Sequence, residues 1–230
     1  MPNDPVLVLI DDDAPTVTRV RHISWNVEPW IMPEDRYVAL VRGVNVGGRN
    51  RLAMPQLRDV LVDLGYGDIE TYLQSGNALF TAVRTDATAL GHEIERHLVS
   101  RLGLAVKVLV RTHADLAAVV AGNPFPEAVA EPTKVHVAFL SAEPDPERLA
   151  SLHLTTLVPD EFAAGPRSVY LRYPNGSGRS KLTGALLERR LGLTATARNW
   201  NTVVGLLERS AVPPRGDEEV SEVVEVLRHP

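Results

Sequence analysis

The sequence predicts an α+β fold built from two ferredoxin-like βαββαβ units in tandem. From Tyr37 onwards, short β-type runs alternate with helical patterns in the order βαββαβ, and the same order recurs in the second half. The tetrapeptide RLGL occurs at 101–104 and again at 190–193, each time between the last helix and the last strand of its half, which indicates an internal duplication. Hydrophobic residues make up 44% of the 230 residues, which is enough for a packed core.

The first unit is assigned to residues 36–111, and turn or cap residues mark the ends of its predicted helices and strands. The run YVALVRG is predicted to be a strand, and Pro55 fits the first turn of a helix that ends near Gly65. The runs IETYL and NALFT are predicted to be paired strands, and a second helix ends at Gly103 before the strand AVKVLV. The apolar residues expected to face the core from the two helices are Leu57, Val60, Leu61, Leu64, Leu90, Ile94, Leu98 and Leu102.

The second unit is assigned to residues 112–209 and begins with a linking helix. Thr112 and Asp115 resemble a capping box at the start of that helix. The run VHVAFL is predicted to be a strand, and Asp145 and Pro146 fit the N-cap and first position of a short helix.

The remaining elements of this unit complete the second βαββαβ order. EFAAG and SVYLRY are predicted to be strands, Leu182–Leu191 a helix, and TATA a short strand. Asn199 is the expected N-cap of a closing helix whose apolar face carries Trp200, Val203, Val204 and Leu207.

The two ends of the chain are more acidic than its body. Residues 1–35 contain two basic and seven acidic side chains, and the predicted C-terminal tail, 210–230, contains two and five. The net charge of −5 therefore leaves 20 basic and 17 acidic residues on 36–209. This mildly positive body is compatible with an anionic ligand, but the bias is too weak to indicate nucleic acid.

Residues 6–20 resemble the opening of a response-regulator receiver domain. In that family, acidic residues after the first strand help to bind magnesium, and Asp11–Asp13 would lie there. Phosphotransfer is not predicted, because no room remains before Tyr37 for the strand that carries the phosphoacceptor aspartate. Two interpretations stay open: a truncated fusion or over-extended start, with Met32 beginning the next domain, or an acidic N-terminal arm.

Composition excludes several classes of chemistry. The chain has no cysteine, which excludes disulfides, thiolate catalysis and cysteine-ligated metals and is typical of cytosolic proteins. No apolar run approaches the about 20 residues needed to cross a bilayer, and no secretory signal is evident. We therefore expect a cytoplasmic protein that does not associate with membranes, and no cofactor is predicted.

The first candidate ligand site is the loop RGVNVGGRN at 42–50, which follows the first strand. A basic, glycine-bearing loop places free backbone N–H groups beside guanidinium groups, an arrangement that can hold an anion. Its spacing matches neither GxGxxG nor GxxxxGK[ST], so a purely structural turn is the alternative. The candidate residues here are Arg42, Asn45, Gly47, Gly48 and Arg49.

Two further polar motifs complete the candidate site. Ser75, Gly76 and Asn77 form a polar turn between paired strands, which a hairpin explains equally well. In RNWNT, Asn199 begins a helix, and Arg198 places a cation beside its positive end. A bound anion between Arg198 and the helix would relieve that unfavourable charge.

Other chemistry is weakly supported. The loop NGSGRSKLTG, 175–184, offers Lys181 for phosphate contact, although it resembles a phosphate loop only loosely and a mobile connector is the alternative. His92 and His97 are five residues apart, which puts their rings ~140° apart on a helix and predicts no zinc site. No catalytic constellation is evident.

The order and spacing of RGVNVGGRN, YLQSGNALF and RNWNTV resemble domain-of-unknown-function family 1697, a bacterial family, over roughly residues 36–209. The resemblance implies a tandem of ferredoxin-like subdomains and implies no activity. The family's usual basic residue after RNWNT is replaced here by Gly205.

The leading functional prediction is the binding of an anionic, phosphate-bearing small ligand, such as a nucleotide or phosphorylated metabolite, between the two subdomains. The three motifs would then converge on one cleft. The alternatives are an enzyme of unknown reaction in that cleft, for which no general base is evident, and a nucleic-acid or protein interaction scaffold. RNA binding is disfavoured because few aromatic side chains are available to stack on bases. The candidates are Phe80, Tyr170 and Tyr173.

Overall fold

The fold is described by a computed structural model over residues 34–48, 50–154 and 157–211. The predicted N-terminal segment, 1–35, lies outside this range except for its last two residues, and so does the receiver-like stretch 6–20. The acidic tail, 210–230, lies outside it except for its first two residues. No helix of the described ranges combines the length and apolar character needed to cross a membrane.

The first half is a four-stranded antiparallel sheet with two helices on one face. Its strands follow the order β2-β3-β1-β4, which is the ferredoxin-like arrangement. The elements are β1 (Glu34–Val41), α1 (Met54–Asp63), β2 (Gly67–Tyr72), β3 (Asn77–Val83), α2 (Ala87–Leu102) and β4 (Val108–Thr112).

The second half repeats this arrangement, with the equivalent order β6-β7-β5-β8. Helices α3 (His113–Ala121) and α4 (Glu127–Ala130) connect the halves. The remaining elements are β5 (Val135–Leu140), α5 (Pro146–Ala150), β6 (Glu161–Gly165), β7 (Ser168–Arg172), α6 (Gly184–Leu191), β8 (Ala195–Asn199) and α7 (Trp200–Ser210). The α+β tandem of two similar subdomains is therefore confirmed.

Local capping explains several helix ends. Thr112 and Asp115 form the predicted capping box of α3. Asp145 caps α5 through the backbone N–H of Arg148. Both RLGL copies end their helix with a left-handed glycine, at Gly103 and Gly192, as expected for a duplicated unit.

Three hydrophobic cores hold the described unit together. One lies between the first sheet and α1 and α2, and another between the second sheet and α6. The third joins the inner faces of both sheets with α3 and α7, and it contains Val38, Leu40, Leu79, Leu109, Val137, Phe139, Tyr170 and Leu206. The inner sheet faces are thus buried, and Tyr170 is unavailable for stacking on a base.

Two details differ from the sequence pattern. Strand β4 begins at Val108 and not at Ala105, because its register is set by pairing with β1, where Val41 lies opposite Val108. On α7 the fully buried face includes Leu206, whereas Val204 and Leu207 lie at its margin. The helix packs against two sheets, which makes its buried face wider than a simple stripe.

Helix α2 lies unusually close to β4, which matters for the site described next. A Cβ atom on Gly91 of α2 would lie 2.7 Å from the carbonyl oxygen of Val108. Glycine therefore permits this approach, and Glu95, one turn further along α2, accepts a hydrogen bond of 2.9 Å from the backbone N–H of Val108.

Candidate functional site

The three polar motifs meet where the two halves join. Arg198 of β8 donates from Nε to Oδ1 of Asn77 at 2.5 Å. It also donates from Nη2 to the carbonyl oxygens of Val41 at 3.0 Å and Ser75 at 3.1 Å. Asn45, in the loop after β1, donates to the carbonyl oxygen of Gln74 at 2.8 Å. The motifs that lie far apart in sequence are therefore in direct contact.

Arg198 is buried, with 7% exposure, and all of its donors have protein acceptors. Its Nη1 donates to Oγ1 of Thr196 and to the carbonyl oxygen of Ala197, both at 2.9 Å. Burial lowers the pKa of Arg198 to about 10, so the side chain stays protonated at neutral pH. Neutral oxygen atoms of the protein thus satisfy the hydrogen-bond donors of this cation before α7. The binding of an anion by Arg198 stays a prediction.

The hairpin residues Gly76 and Asn77 stabilise this junction through contacts of their own. Asn77 is fully buried and donates to the carbonyl oxygen of Tyr72 and to Oγ of Ser75, both at 2.9 Å. Gly76 has φ +73°, and a Cβ atom there would lie 2.5 Å from a methyl carbon of Val44. These contacts fix the hairpin against the loop that follows β1.

The glycine loop is partly tied down and partly exposed. Arg42 forms a bidentate ion pair with Glu188 of α6, at 2.7 and 2.6 Å, which links the two halves. Asn45 accepts from the backbone N–H of Leu52 at 3.0 Å. Gly47 and Gly48 are exposed. The predicted residue Arg49 lies outside the described residues.

The last two predicted residues lie on the second half. Asn199 is the N-cap of α7, and its Oδ1 accepts from the backbone N–H and the hydroxyl of Thr202 at 2.9 and 2.8 Å. Lys181 is exposed in the loop before α6. Ligand binding by these residues stays a prediction.

A separate cavity of about 80 Å³ lies between the halves, at the edge strand β4. Its wall comes from α2, β4 and three loops of the second half, and none of the predicted ligand residues in the described ranges lines it. The polar lining residues are Thr88, His92, Glu95, Lys107, Arg111, Ser141, Arg167 and Thr194. For brevity we call this the interhalf cavity.

Arg111 is the most unusual residue of the interhalf cavity. It is 2% exposed and extends from the inner face of β4 towards the second half, where Nη2 donates to the carbonyl oxygen of Leu140 at 2.5 Å. Nη1 donates to the carbonyl oxygen of Val110 at 2.9 Å. Within the described ranges, its Nε and the second N–H of Nη1 have no protein acceptor, and no carboxylate lies within ion-pair distance.

Arg111 has no carboxylate partner within ion-pair distance in the described ranges, and its guanidinium carbon lies 5.6 Å from the centre of the Phe139 ring. Burial, and then the positive charge of Arg167, lower the pKa of Arg111 to about 10, while Asp115 acts weakly in the opposite direction. The Arg167 guanidinium donates only to the carbonyl oxygen of Ser141, at 3.3 Å, among the described residues. Both arginines line the interhalf cavity, and both have N–H donors without a protein acceptor in the described ranges.

The rest of the wall combines polar side chains with Val108, Leu109 and Val110 of β4. Glu95 is paired with Lys107 at 2.9 Å, so its charge is neutralised locally. The hydroxyl of Ser141 accepts from the backbone N–H of Thr194 at 3.2 Å. In the part of the chain that the structure describes, no three His, Asp or Glu side chains cluster as metal ligands. The arrangement suits a small anion.

The sequence contained one signal for this cavity that our motif reading missed. Arg111 occupies an inward position in the otherwise apolar strand VLVRT, in register with Leu109 of the shared core. A charged residue at a core position of a strand requires buried partners or a ligand.

Comparisons with known proteins agree with this architecture. A family model described as "Protein of unknown function (DUF1697)" matches residues 35–170. Among curated proteins, none matches the chain. A solved structure of the conserved bacterial protein SP0830 from Streptococcus pneumoniae is similar, with 22% identity and a TM-score of 0.63. That similarity covers 78% of this chain and 100% of the other, and it concerns the fold alone.

Proposed function

Because the chain belongs to the DUF1697 family, whose description names no activity, we propose its function from its own geometry: it binds a small phosphate-bearing anion in the interhalf cavity. The observation that carries this proposal is Arg111, a buried cation with spare N–H donors that point to no carboxylate among the described residues. Arg167 adds a second guanidinium to the same space. Paired guanidinium forks are suited to the oxygens of a phosphate group.

A bound anion would improve the energetics of this arrangement. A buried charge without a countercharge is costly, and the two guanidinium groups repel one another. A bound phosphate would supply acceptors for the spare donors and offset both effects. The hydroxyls of Thr88, Ser141 and Thr194 would supply further donors at the wall.

The cavity volume limits what can enter it. About 80 Å³ corresponds to the liquid volume of roughly two or three water molecules. This small volume favours a group of the size of a phosphate, so we expect a larger ligand to keep most of its organic part outside. Sites between two subdomains are common places for small ligands.

The predicted motif residues take a supporting role in this proposal. Arg198 and Asn77 connect the halves on one side, and Arg42 connects them through Glu188. Arg42 also donates its backbone N–H to the carbonyl oxygen of the cavity residue Lys107 at 2.8 Å. These contacts link the two halves from which the walls of the cavity come.

Isothermal titration with inorganic phosphate tests the proposal. We expect saturable binding that weakens as sodium chloride is added, because the attraction is electrostatic. Arg167→Ala should weaken binding at least about tenfold, or ~1.4 kcal/mol, and Arg111→Met should weaken it further. Arg209→Met is the matched control, because Arg209 is an exposed ion-paired arginine of α7.

The result that contradicts the proposal is equally specific. If phosphate up to ~10 mM gives no saturable binding, the affinity is weaker than a built site should provide. The same conclusion follows if Arg167→Ala binds phosphate as tightly as the unmodified chain. Because Arg167 makes only one weak side-chain hydrogen bond in the described ranges, loss of folding is not expected to obscure this variant.

An enzyme acting on a phosphate ester is the second candidate, and one observation favours it. The side chain of His92 lines the interhalf cavity beside the arginines, where a general acid or base would be needed. Incubation with p-nitrophenyl phosphate would detect hydrolysis. Turnover that disappears in His92→Ala would support the enzyme, whereas binding without turnover leaves the binding protein as the function.

A further inference from the structure

The interhalf cavity adjoins a second, larger depression on the same side of α2. This groove has a volume of about 430 Å³ and runs beside the C-terminal part of α2. Val99, Ala105 and Val106 give it an apolar surface, and Val99 is 50% exposed. Covering this surface with a compact apolar group would remove it from water, which is favourable.

The two spaces share part of their walls. Glu95 and Lys107 line both the interhalf cavity and the groove. Their ion pair, at 2.9 Å, therefore stands at the boundary between a polar space and an apolar one. Glu95 is held from the other side by the backbone N–H of Val108, while the Lys107 side chain is 58% exposed and can move.

From this continuity, and resting on the proposed function, we propose that the ligand is a phosphate monoester with a compact apolar body. Its phosphate group occupies the interhalf cavity against Arg111 and Arg167. Its apolar body lies in the groove against Val99 and Val106. Lys107, at the boundary, turns from Glu95 towards the ester oxygen and the phosphate.

The division of the site explains why one ligand class is favoured. The interhalf cavity is too small for more than the phosphate group, so the organic part must leave through the boundary. The groove beyond that boundary exposes mainly apolar surface from Val99, Ala105 and Val106, with Arg96 and Ser100 at its margin. An aromatic or branched aliphatic body removes more apolar surface from water there than a polar body does.

The test compares three probes by isothermal titration: inorganic phosphate, phenyl phosphate and glycerol phosphate. We expect phenyl phosphate to bind about tenfold more tightly than inorganic phosphate, because the ring covers the groove. Glycerol phosphate should gain less than threefold, since its body is polar. The ranking measures the contribution of the groove directly.

Variants separate this inference from the function on which it rests. Val99→Ser should remove most of the gain of phenyl phosphate and leave the affinity for inorganic phosphate unchanged. Val62→Ser is the matched control, because Val62 is an exposed valine on α1 outside both spaces. Arg167→Ala should weaken phosphate and phenyl phosphate alike.

Two outcomes overturn the inference while phosphate binding stands. One is equal affinity for phenyl phosphate and inorganic phosphate. The other is a gain for phenyl phosphate that persists in Val99→Ser, which would place the ring elsewhere. If no probe binds at all, the proposed function fails together with this inference.

Discussion

Replacing Arg198 by Met is expected to destabilise the fold strongly, and the structure allows the size of the effect to be worked out. The substitution keeps much of the side-chain volume but removes every N–H donor. The acceptors left without a donor are Oδ1 of Asn77, Oγ1 of Thr196 and the carbonyl oxygens of Val41 and Ser75. An unsatisfied buried acceptor costs about 1–3 kcal/mol.

The measured loss of stability will be smaller than the sum of these costs. Removing a buried charge also removes its own desolvation penalty, which partly offsets the loss. Ser75 is only half-buried, so water can reach its carbonyl oxygen. We therefore expect a loss of about 3–5 kcal/mol in the free energy of unfolding, at the upper end for a single substitution.

Urea unfolding followed by far-UV circular dichroism measures this loss as a shift in midpoint at constant slope. The matched control is Arg209→Met, whose ion pair with Glu70 and contact with the Tyr72 ring lie at the surface. It should cost at most about 1.5 kcal/mol. If Arg198→Met costs under ~1 kcal/mol, or no more than the control, the proposed structural role of Arg198 is wrong.

The same variant also distinguishes the two roles considered for Arg198. Under conditions where Arg198→Met is folded, inorganic phosphate should bind it within about threefold of the unmodified affinity. A variant that keeps its stability but loses phosphate binding would support the ligand contact that the sequence predicts. The stability and binding measurements therefore have to be made on one preparation.

Three further predictions concern the turn, pH dependence and the surface link between the halves. Gly76→Ala should cost at least about 1 kcal/mol more than Gly48→Ala in urea unfolding, because φ is similar but only Gly76 has a side chain within 2.5 Å of the new Cβ. Burial lowers the pKa of His136, so the free energy of unfolding should fall as pH drops below the pKa of about 6.5 in the unfolded chain. His136→Phe should flatten that part of the profile of stability against pH. An unchanged slope in this variant contradicts the assignment to His136. A double-mutant cycle of Arg42→Ala and Glu188→Ala should give a coupling energy of about 0.5–1 kcal/mol, and a value near zero would show that this ion pair does not hold the halves.

Most of the fold could be predicted from the sequence because the residues that begin and end its helices and strands act locally. Cap residues such as Thr112 and Asp145 satisfy helix-end N–H groups, and the two glycines of RLGL end their helices in left-handed conformation. Alternating elements then leave few arrangements for each half. The shared core between the sheets was less accessible, because periodicity alone does not say which element covers the second face of a buried strand.

Ligand-binding residues are harder to predict from the sequence than the fold, and the reason is physical. The motifs are rich in glycine, asparagine and arginine, and these residues serve turns and junctions as readily as ligands. Asn77 illustrates this, because its amide is used entirely by Tyr72, Ser75 and Arg198. Whether a polar group is already satisfied depends on three-dimensional neighbours, and sequence spacing carries no information about that.

Two buried arginines show how the distinction can be made once the contacts are known. Neither Arg198 nor Arg111 has a carboxylate within ion-pair distance in the described ranges, so charge alone would assign a ligand to both. Arg198 gives each N–H to a protein oxygen, whereas Arg111 lines a cavity beside Arg167 and has N–H donors for which the described residues supply no acceptor. A ligand lowers the free energy only where it supplies acceptors that the protein lacks. By that criterion Arg111 is the arginine at which we propose a ligand, and ligand contact by the motif residues stays a prediction.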